Sequence, residues 1–205
     1  MWKVRNDKVW NDREWTLSMI VAQVEALVLS WKQAYHSTTP QGNSHSPIKW
    51  FPPSAGYLKC NIDAALLEDC MGFGAVLGDH EGKFITACVG RYMSCSRDPY
   101  IAETMAVKEA LTWLKSRNIS HVVVESDCLN FCSTFNSLSP DLSYAGLIVK
   151  QCRSIARDIG DIVVCHVKRS ANHVAHVLAQ VASSFPVLTM WDSIPPSCIS
   201  DLVLV

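Results

Sequence analysis

A strict alternation of apolar and polar residues constrains the fold of this chain more than any other sequence feature. In the stretch YLKCNIDAAL (57–66) two sets of side chains alternate, namely apolar Leu58, Cys60 and Ile62 and polar Lys59, Asn61 and Asp63. This period of two predicts a β-strand with one apolar and one polar face. The stretch GFGAVLGDHEGKFITACVG (72–90) predicts two further strands, because the Asp and Gly of DHEG favour a hairpin turn.

The segments that follow predict helices and strands in alternation. The stretch PYIAETMAVKEALTWLKSRN (99–118) predicts a helix with Pro99 in its first turn. Its apolar stripe consists of Ile101, Met105, Leu111 and Leu114. HVVVESD (121–127) predicts a short strand with an acidic residue, Asp127, at its end. Two helices, a strand and a last helix are expected at 128–137, 141–158, 161–167 and 172–184.

The order of these elements, β-β-β-α-β-α-α-β-α, predicts the fold class. An antiparallel run of three strands followed by β-α units implies an α/β fold. We therefore expect a five-stranded mixed sheet, with three antiparallel strands and then parallel ones, and helices on its faces.

The composition changes at about residue 50, which suggests a domain boundary. Residues 1–35 predict a helical segment, because the apolar residues of LSMIVAQVEALVLSW (17–31) recur at helical spacing. Residues 36–49 are rich in Ser, Thr, Pro, Gly and Asn and predict a flexible linker. The main domain is placed at 50–185, and residues 186–205 are expected to form a C-terminal tail.

The apolar stripe of residues 17–31 has two interpretations. It packs either on its own protein or on a partner protein, and the oligomeric state stays open. Gln23 and Glu25 interrupt the stretch, so no membrane span is expected.

Charge and cysteine usage narrow the function classes. The formal net charge of −1 argues against a strongly basic nucleic-acid binder, but not against local positive patches. The nine cysteines are scattered singly and no secretory signal is recognised, so we expect reduced thiols and an intracellular location, nuclear or cytoplasmic. Cys128 and Cys132 have the spacing of a zinc pair, but no second pair does, and the alternative is two buried thiols on a helix face.

Three acidic residues fall where the predicted elements converge. Asp63 lies on the polar side of the first strand, Glu103 near the start of the first long helix, and Asp127 directly after the fourth strand. Sites in α/β sheets gather at the carboxyl ends of strands, so these carboxylates are placed to meet at one sheet edge. A divalent cation would relieve their repulsion, and oxygen ligands suit Mg²⁺ or Mn²⁺. Taken singly, each acid has the simpler interpretation of a surface carboxylate.

The histidines in and before RSANHVAHVLAQ (169–180) offer a different metal site. The zinc-ligand types in this region are Cys165, His166, His173 and His176. Cys165 and His166 are neighbours on a predicted strand and point to opposite faces, whereas His173 and His176 are one helical turn apart. Zinc therefore stays as an alternative.

Five separated motifs carry a resemblance to a known family. They are LKCNIDAA, GFGAVLGDHEG, AETMAVKEALTW, VVVESD and HVKRSANHVAHVLAQVA, and they lie between about Trp50 and Ala182. In this order they resemble the ribonuclease H type 1 family, most of all its branch in plant retroelement-derived proteins with non-LTR reverse transcriptases. The resemblance implies a ribonuclease H-like fold and a metal-dependent endonuclease that hydrolyses the RNA strand of RNA–DNA hybrids.

The resemblance also implies roles for individual residues. Asp63, Glu103 and Asp127 match the family's metal-binding carboxylates, with Asp63 on both ions of a two-metal site of Mg²⁺ or Mn²⁺. His166 matches the family's loop histidine, which is expected to help protons move. Asn172 matches the asparagine six residues later.

One position departs from the family pattern. The fourth carboxylate falls ten residues after the loop histidine, and this chain has His176 there. A neutral imidazole brings no charge and is a softer metal ligand than a carboxylate, so we expect weakened hydrolysis with a tilt toward Mn²⁺. The alternative is that His176 only caps the last helix or faces solvent.

Substrate contacts are expected at the same end of the sheet. The resemblance places three candidates near the scissile strand, namely Asn61, Ala64 through its backbone amide, and Asn172. The candidates for phosphate contacts are Lys59, Lys168 and Arg169, whose alternative interpretation is solvated surface charge. Two function classes remain, namely an active hybrid-cleaving nuclease and a weakened or inactive retroelement-derived domain that only binds nucleic acid.

Overall fold

A mixed β-sheet forms the centre of the structure, a computed structural model that describes Thr16 and residues 49–93, 97–137, 139 and 141–203. The strands are β1 (Leu58–Leu66), β2 (Met71–Gly78), β3 (Phe84–Tyr92), β4 (Val122–Ser126), β5 (Ile162–His166) and β6 (Thr189–Asp192). They lie in the order β5-β4-β1-β2-β3-β6. β1, β2 and β3 pair antiparallel, whereas β4 pairs parallel with both β1 and β5. The predicted α/β class with a mixed sheet is confirmed.

The turn between β2 and β3 is formed by the DHEG segment. Asp79 Oδ1 accepts hydrogen bonds from the backbone N–H groups of Glu81 and Lys83, both at 2.9 Å. Gly82 has a φ of +82°, a left-handed conformation that glycine adopts without a Cβ clash. The local sequence therefore accounts for this hairpin.

Helices cover the sheet within the described part of the chain. They are α1 (Pro99–Ser116), α2 (Leu129–Asn136), α3 (Tyr144–Ile159), α4 (His173–Gln180) and α5 (Ser200–Val203). α1 begins where Asp98 accepts hydrogen bonds from the backbone N–H groups of Tyr100 and Ile101, with Pro99 in the first turn. A short 3-10 turn, Arg169–Ala171, precedes α4.

Both faces of the sheet are buried. On one face, apolar side chains of β1 and β2 pack with α1, α2 and α3 in the larger core cluster, which includes Ile62 and Phe131. On the other face, α4 and the C-terminal residues pack on β2 and β3 in a smaller cluster, which includes Leu178 and Ile199. The polar face of β1 therefore lies on the α4 side of the sheet.

The predicted apolar stripe of α1 is only partly the buried face of that helix. Leu111 and Leu114 have no exposed surface, whereas Ile101 and Met105 are partly buried. The rest of the buried face includes small residues, namely Ala102, Ala106 and Ala110. A pattern read from large apolar residues does not indicate such alanine contacts.

The sheet has six strands and not the five that we expected. β6, which lies in the predicted C-terminal tail, pairs antiparallel with β3 from Thr86 to Val89. Trp191 contacts Phe185 edge-on at 5.3 Å between ring centroids, and Ile199 is fully buried. The physical reason is that β6 satisfies the backbone groups of an otherwise unpaired edge strand while it buries apolar surface.

The predicted N-terminal helical segment (1–35), with its stripe at 17–31, lies outside the described residues except for Thr16. The predicted linker (36–49) also lies outside them except for its last residue. Among the helices that the structure describes, none is both long and apolar enough to cross a membrane.

Candidate active site

Strand pairing brings two acidic residues to the same end of the sheet. β1 and β4 run parallel with Ile62 opposite Ser126, so the residues that follow, Asp63 and Asp127, are neighbours. Glu103 reaches the same place from the second turn of α1. One carboxyl oxygen from each of the three residues lies within 4.8 Å of the corresponding oxygens of the other two. The convergence that the sequence predicted is therefore present.

Burial and the charges of neighbouring acids oppose the ionisation of Asp63 and Glu103. Burial raises the pKa of Asp63 to about 6, against a hydrogen bond from His176 that lowers it, and the charge of Asp127 raises it further. Burial and then the charges of Asp63 and Asp127 raise the pKa of Glu103 to about 9, although a hydrogen bond from the Ala64 backbone lowers it. Near neutral pH, Glu103 therefore keeps its proton unless a cation binds beside it.

The donor set fits a divalent cation. Glu103 Oε2 is buried and has no hydrogen-bond partner. A buried polar atom without a partner lowers the stability of the fold, so a ligand such as a metal ion is expected at this atom. Within the described residues, these acids are the one group of His, Cys, Asp or Glu side chains close enough together to hold a metal. A set of carboxylate oxygens is the chemistry that Mg²⁺ and Mn²⁺ prefer.

His176, at the position that departs from the family pattern, lies directly beside Asp63. Its Nδ1 is 2.6 Å from Asp63 Oδ2, a short hydrogen bond to the carboxylate. Arg169 Nη2 lies within 3.2 Å of both ring nitrogens of His176, and Arg169 Nη1 is 4.0 Å from Asp127 Oδ2. His176 therefore borders the carboxylates, and Arg169 brings a positive charge to the rim of the site.

Two glycines in β2 let α4 carry His176 this close to the sheet. A Cβ at Gly72 would lie 2.4 Å from the carbonyl oxygen of Ala179, and a Cβ at Gly74 would lie 2.7 Å from the Ala179 nitrogen. Gly74 is also the residue that pairs with Asp63. The G-x-G spacing on one face of the strand therefore permits the close approach of the helix backbone.

Three residues that we expected to contact nucleic acid belong instead to a buried polar network. Asn61 Nδ2 donates hydrogen bonds to Glu125 Oε2 at 2.9 Å and to Asn172 Oδ1 at 3.2 Å. Asn172 has no exposed surface, and its Nδ2 donates to the carbonyl oxygen of Ile62 at 2.9 Å. Lys59 Nζ lies 2.6 Å from Glu125 Oε1. The polar side-chain atoms of Lys59, Asn61 and Asn172 are thus bound within the protein, and their contact with nucleic acid stays a prediction.

Sequence reasoning missed two members of this region, Glu125 and Trp50. Trp50 Nε1 donates to Asn61 Oδ1 at 2.7 Å, and its ring centroid is 5.5 Å from Lys59 Nζ. Glu125 had a visible signal, because it is an acid inside the apolar strand VVVES and a buried charge requires a partner. The identity of that partner, Lys59 on another strand, had no local signal.

The other expected site residues lie around the carboxylates. His166 ends β5 opposite Ser126, the residue before Asp127. The backbone N–H of Ala64 lies beside Glu103, where it lowers the pKa of that carboxyl group. Lys168 and Arg169 are exposed between β5 and α4, where an anion can reach them.

The zinc alternatives do not assemble within the described residues. Cys128 precedes α2, and the buried Cys132 Sγ is 3.9 Å from the carbonyl oxygen of Ser126. His173 is exposed at the start of α4. None of these side chains belongs to a metal-capable group in that part of the chain. Burial raises the pKa of the Cys132 thiol, as expected for the alternative of a buried thiol.

Solved structures share this fold. An RNase H1 from the halophilic archaeon Halobacterium salinarum NRC-1 matches with a TM-score of 0.57 and 17% identity over 63% of this chain and 98% of that one. An N-terminal RNase H domain from Mycobacterium tuberculosis matches with a TM-score of 0.55 and 16% identity. The match covers 62% of this chain and 94% of that one. LC11-RNase H1 was isolated from compost, and its structure in complex with an RNA/DNA hybrid matches with a TM-score of 0.54 and 16% identity. The match covers 61% of this chain and 95% of that one. The fold is therefore ribonuclease H-like.

None of the curated proteins matches this sequence. A family profile described as reverse transcriptase-like matches residues 61–182, which is more than half of the chain. The matched range includes the three clustered acids and His176.

Proposed function

Because the chain belongs to the reverse transcriptase-like family, we propose that it is a metal-dependent endonuclease that hydrolyses the RNA strand of RNA–DNA hybrids. The observation that carries the proposal is the meeting of Asp63, Glu103 and Asp127, with a buried Glu103 oxygen that has no partner. The likeness in fold to LC11-RNase H1, whose structure contains an RNA/DNA hybrid, supports this choice of substrate.

In this proposal Asp63, Glu103 and Asp127 hold the cations, and His176 occupies the fourth ligand position beside Asp63. A pair of bound Mg²⁺ or Mn²⁺ ions would supply activation of water and stabilisation of the leaving 3′ oxygen. His166, at the end of β5 near Asp127, moves protons between the reacting groups and solvent without holding metal.

The exposed cations at the rim provide the proposed substrate contacts. Lys168 and Arg169 bind phosphates of the hybrid, because phosphate contacts position a nucleic acid without reading its sequence. Recognition of the hybrid through its backbone shape and 2′-hydroxyl groups then requires no base contact.

A fluorescent hybrid-cleavage assay with Mg²⁺ and Mn²⁺ in parallel tests the proposed function. The change Asp63→Asn keeps the shape of the side chain but removes its charge, so cleavage should vanish while the melting temperature (Tm) changes little. His166→Ala should slow turnover without abolishing it. A wild-type protein that cleaves no hybrid with either metal would contradict the proposal.

A second candidate function is a hybrid-binding domain that has lost turnover. The observation in its favour is the pair of basic groups at the site, because His176 binds Asp63 and Arg169 lies beside both His176 and Asp127. This candidate predicts that the wild-type protein binds the hybrid in a mobility-shift assay but leaves it uncut with both metals.

The finer assignments rest on the sequence motifs. We propose a retroelement-derived origin in the plant branch of the family, supported by the order of LKCNIDAA, VVVESD and HVKRSANHVAHVLAQVA. We also propose an intracellular location, nuclear or cytoplasmic, supported by the eight described cysteines, all of which are free thiols.

A further inference from the structure

A group of buried polar side chains lies directly behind the carboxylates, and the proposed reaction does not use it. This group, here called the positioning network, consists of Lys59, Asn61, Glu125 and Asn172. Asn61 stands two positions before Asp63 on β1, and Glu125 stands two positions before Asp127, which directly follows β4. Asn172 stands four positions before His176. Asn61 and Glu125 are therefore at the i, i+2 spacing of a strand from Asp63 and Asp127, and Asn172 is about one helical turn from His176. Residues at these spacings lie on the same face of their element.

The hydrogen bonds of the network join the elements that carry the site. The Asn61–Glu125 bond connects β1 with β4, and the Asn61–Asn172 bond connects β1 with the start of α4. Asn172 also donates to the carbonyl of Ile62, the residue before Asp63, and its own carbonyl accepts the backbone N–H of His176 at 3.1 Å. A shift of α4 relative to β1 would break the two bonds of the Asn172 side chain.

The ion pair in this network is poorly suited to a purely stabilising role. The side chains of Lys59 and Glu125 are only 11% and 9% exposed, so both charges have lost most of their hydration. Replacement of such a buried pair by apolar residues is often neutral or stabilising, because desolvation offsets the Coulomb attraction. A set of directional bonds that fixes one arrangement of β1, β4 and α4 gives these residues a role that apolar packing does not supply.

We infer that Lys59, Asn61, Glu125 and Asn172 are positioning residues that set the spacing of Asp63, Asp127 and His176. The inference rests on the proposed function, because that spacing has a purpose only if the acids bind metal. Lys59 balances the charge of Glu125, Asn61 joins Glu125 to Asn172, and Asn172 holds the start of α4 against the strand that carries Asp63.

The first test is the change Asn172→Leu, which keeps a similar volume and alters no charge. We expect the affinity for Mn²⁺, measured by titration calorimetry on the full chain, to fall by about tenfold or more, as is usual when a group that orients metal ligands is removed. Asn136→Leu is the matched control, because Asn136 Nδ2 also donates to a strand carbonyl, that of Val164, at 3.0 Å but outside the network. The control should lower Tm without changing the Mn²⁺ affinity.

A second readout needs no metal. The imidazole nitrogen chemical shifts of His176, assigned by comparison with His176→Asn, report on its hydrogen bond to Asp63. Asn172→Leu should change these shifts in metal-free protein, and Asn136→Leu should not. Trp50→Phe removes the hydrogen bond to Asn61 at the far end of the network and replaces the ring over Lys59 by a smaller one. It leaves the Asn61–Asn172 and Asn172–Ile62 bonds in place, so it should weaken Mn²⁺ binding by a smaller factor than Asn172→Leu.

The outcomes separate this inference from the proposed function. If wild type and Asn172→Leu bind Mn²⁺ equally well, the positioning role is wrong and the proposed function stands. If wild type binds no Mn²⁺ and cuts no hybrid, the proposed function fails, and unchanged His176 shifts in Asn172→Leu then show independently that the network does not position the site. If Asn172→Leu does not fold, full Mn²⁺ affinity in Trp50→Phe overturns the inference.

Discussion

At the scale of single residues, burial opposes the ionisation of Asp63 and Glu103 when no metal is bound. Burial raises the pKa of Glu103 to about 9, and the charges of Asp63 and Asp127 add to this effect. A folded state that prefers protonated acids is stabilised at low pH, because its acids bind protons that the unfolded chain has already released. The metal-free domain and the metal-bound domain should therefore respond differently to pH.

This difference gives a pH-dependent prediction for stability. The contribution of Glu103 is fully present below its unfolded pKa near 4.5 and is lost progressively as pH rises from there to the folded pKa near 9. In EDTA, we expect Tm to fall by about 4 °C or more between pH 5 and pH 8, since a change of about 1 kcal/mol shifts Tm by about 2–4 °C in a chain of this size. Scanning calorimetry measures it.

The variant Glu103→Gln is the control for that measurement. It stays neutral at every pH, so its Tm in EDTA should change much less than that of wild type over the same range. Excess Mg²⁺ should raise the wild-type Tm at pH 8 and should raise that of the variant less, because the variant keeps Asp63 and Asp127 but has lost one of the three proposed ligands. A wild-type Tm in EDTA that does not fall between pH 5 and pH 8 would show that burial does not hold Glu103 in its protonated form.

His176 is the residue that sets the expected metal preference. Its imidazole is hydrogen-bonded to Asp63, where a fourth carboxylate would add a negative charge. We expect His176→Asp to raise the rate of Mg²⁺-dependent cleavage by about tenfold and to lower the ratio of Mn²⁺ to Mg²⁺ activity, because a carboxylate is the harder ligand. Initial rates at saturating metal measure both quantities.

The neighbouring His173 provides the matched control for this change. It is exposed on the same helix, so His173→Asp adds the same charge outside the pocket. Its cleavage rate with Mg²⁺ should stay close to that of wild type. Equal Mg²⁺ activity in wild type and His176→Asp would mean that the residue at position 176 does not influence the metal.

At the scale of elements, the contact between α4 and β2 decides whether His176 reaches Asp63. Gly74→Ala should push α4 away from the sheet, because the new methyl group would lie 2.7 Å from the Ala179 nitrogen and 2.9 Å from Leu178 Cβ. We expect a loss of about 1–3 kcal/mol in the free energy of unfolding, measured by urea denaturation. The cleavage rate and the His176 imidazole shifts should change together with it.

Gly78 on the same strand is the control for this substitution. A methyl group there would have its nearest contacts at 3.5 Å, which is ordinary van der Waals distance. Gly78→Ala should therefore leave the His176 shifts and the cleavage rate near their wild-type values. An equal effect of the two substitutions would attribute the loss to β2 itself and not to the approach of α4.

At the scale of the whole molecule, the chain has no net positive charge with which to attract a polyanion. Its net charge is −1, and the basic residues Lys168 and Arg169 stand exposed beside the acidic site. Hybrid binding should therefore be weak and should be lost at high salt, since phosphate contacts release counterions. We expect Lys168→Ala to reduce the slope of log affinity against log salt concentration by about 1.

Fluorescence anisotropy at several salt concentrations measures this slope. Lys150→Ala is the control, because Lys150 is exposed on α3, which packs on the other face of the sheet from α4. It should leave the slope unchanged. Tight binding that persists at high salt would contradict a contact made mainly through phosphates.

The sequence by itself determined the order of the strands and helices as far as α4 and the three acids of the site. These features depend on local chemistry, such as the alternation in YLKCNIDAAL, the turn residues of DHEG and the Pro99 helix start. The order of elements then placed Asp127 at the end of the strand that runs parallel to the one carrying Asp63, as the register of β1 and β4 confirms.

Only the tertiary structure decided what lies over each face. Alternation placed Lys59 and Asn61 on the polar face of β1, but it contains no information on whether that face meets solvent, nucleic acid or protein. The partners of these side chains are Glu125 and Asn172, 64 and 111 residues away from Asn61 along the chain. The pairing of β6 with β3 is equally distant in sequence. Contacts of this kind arise when separate elements pack, because their stability depends on the surface that each element buries against another.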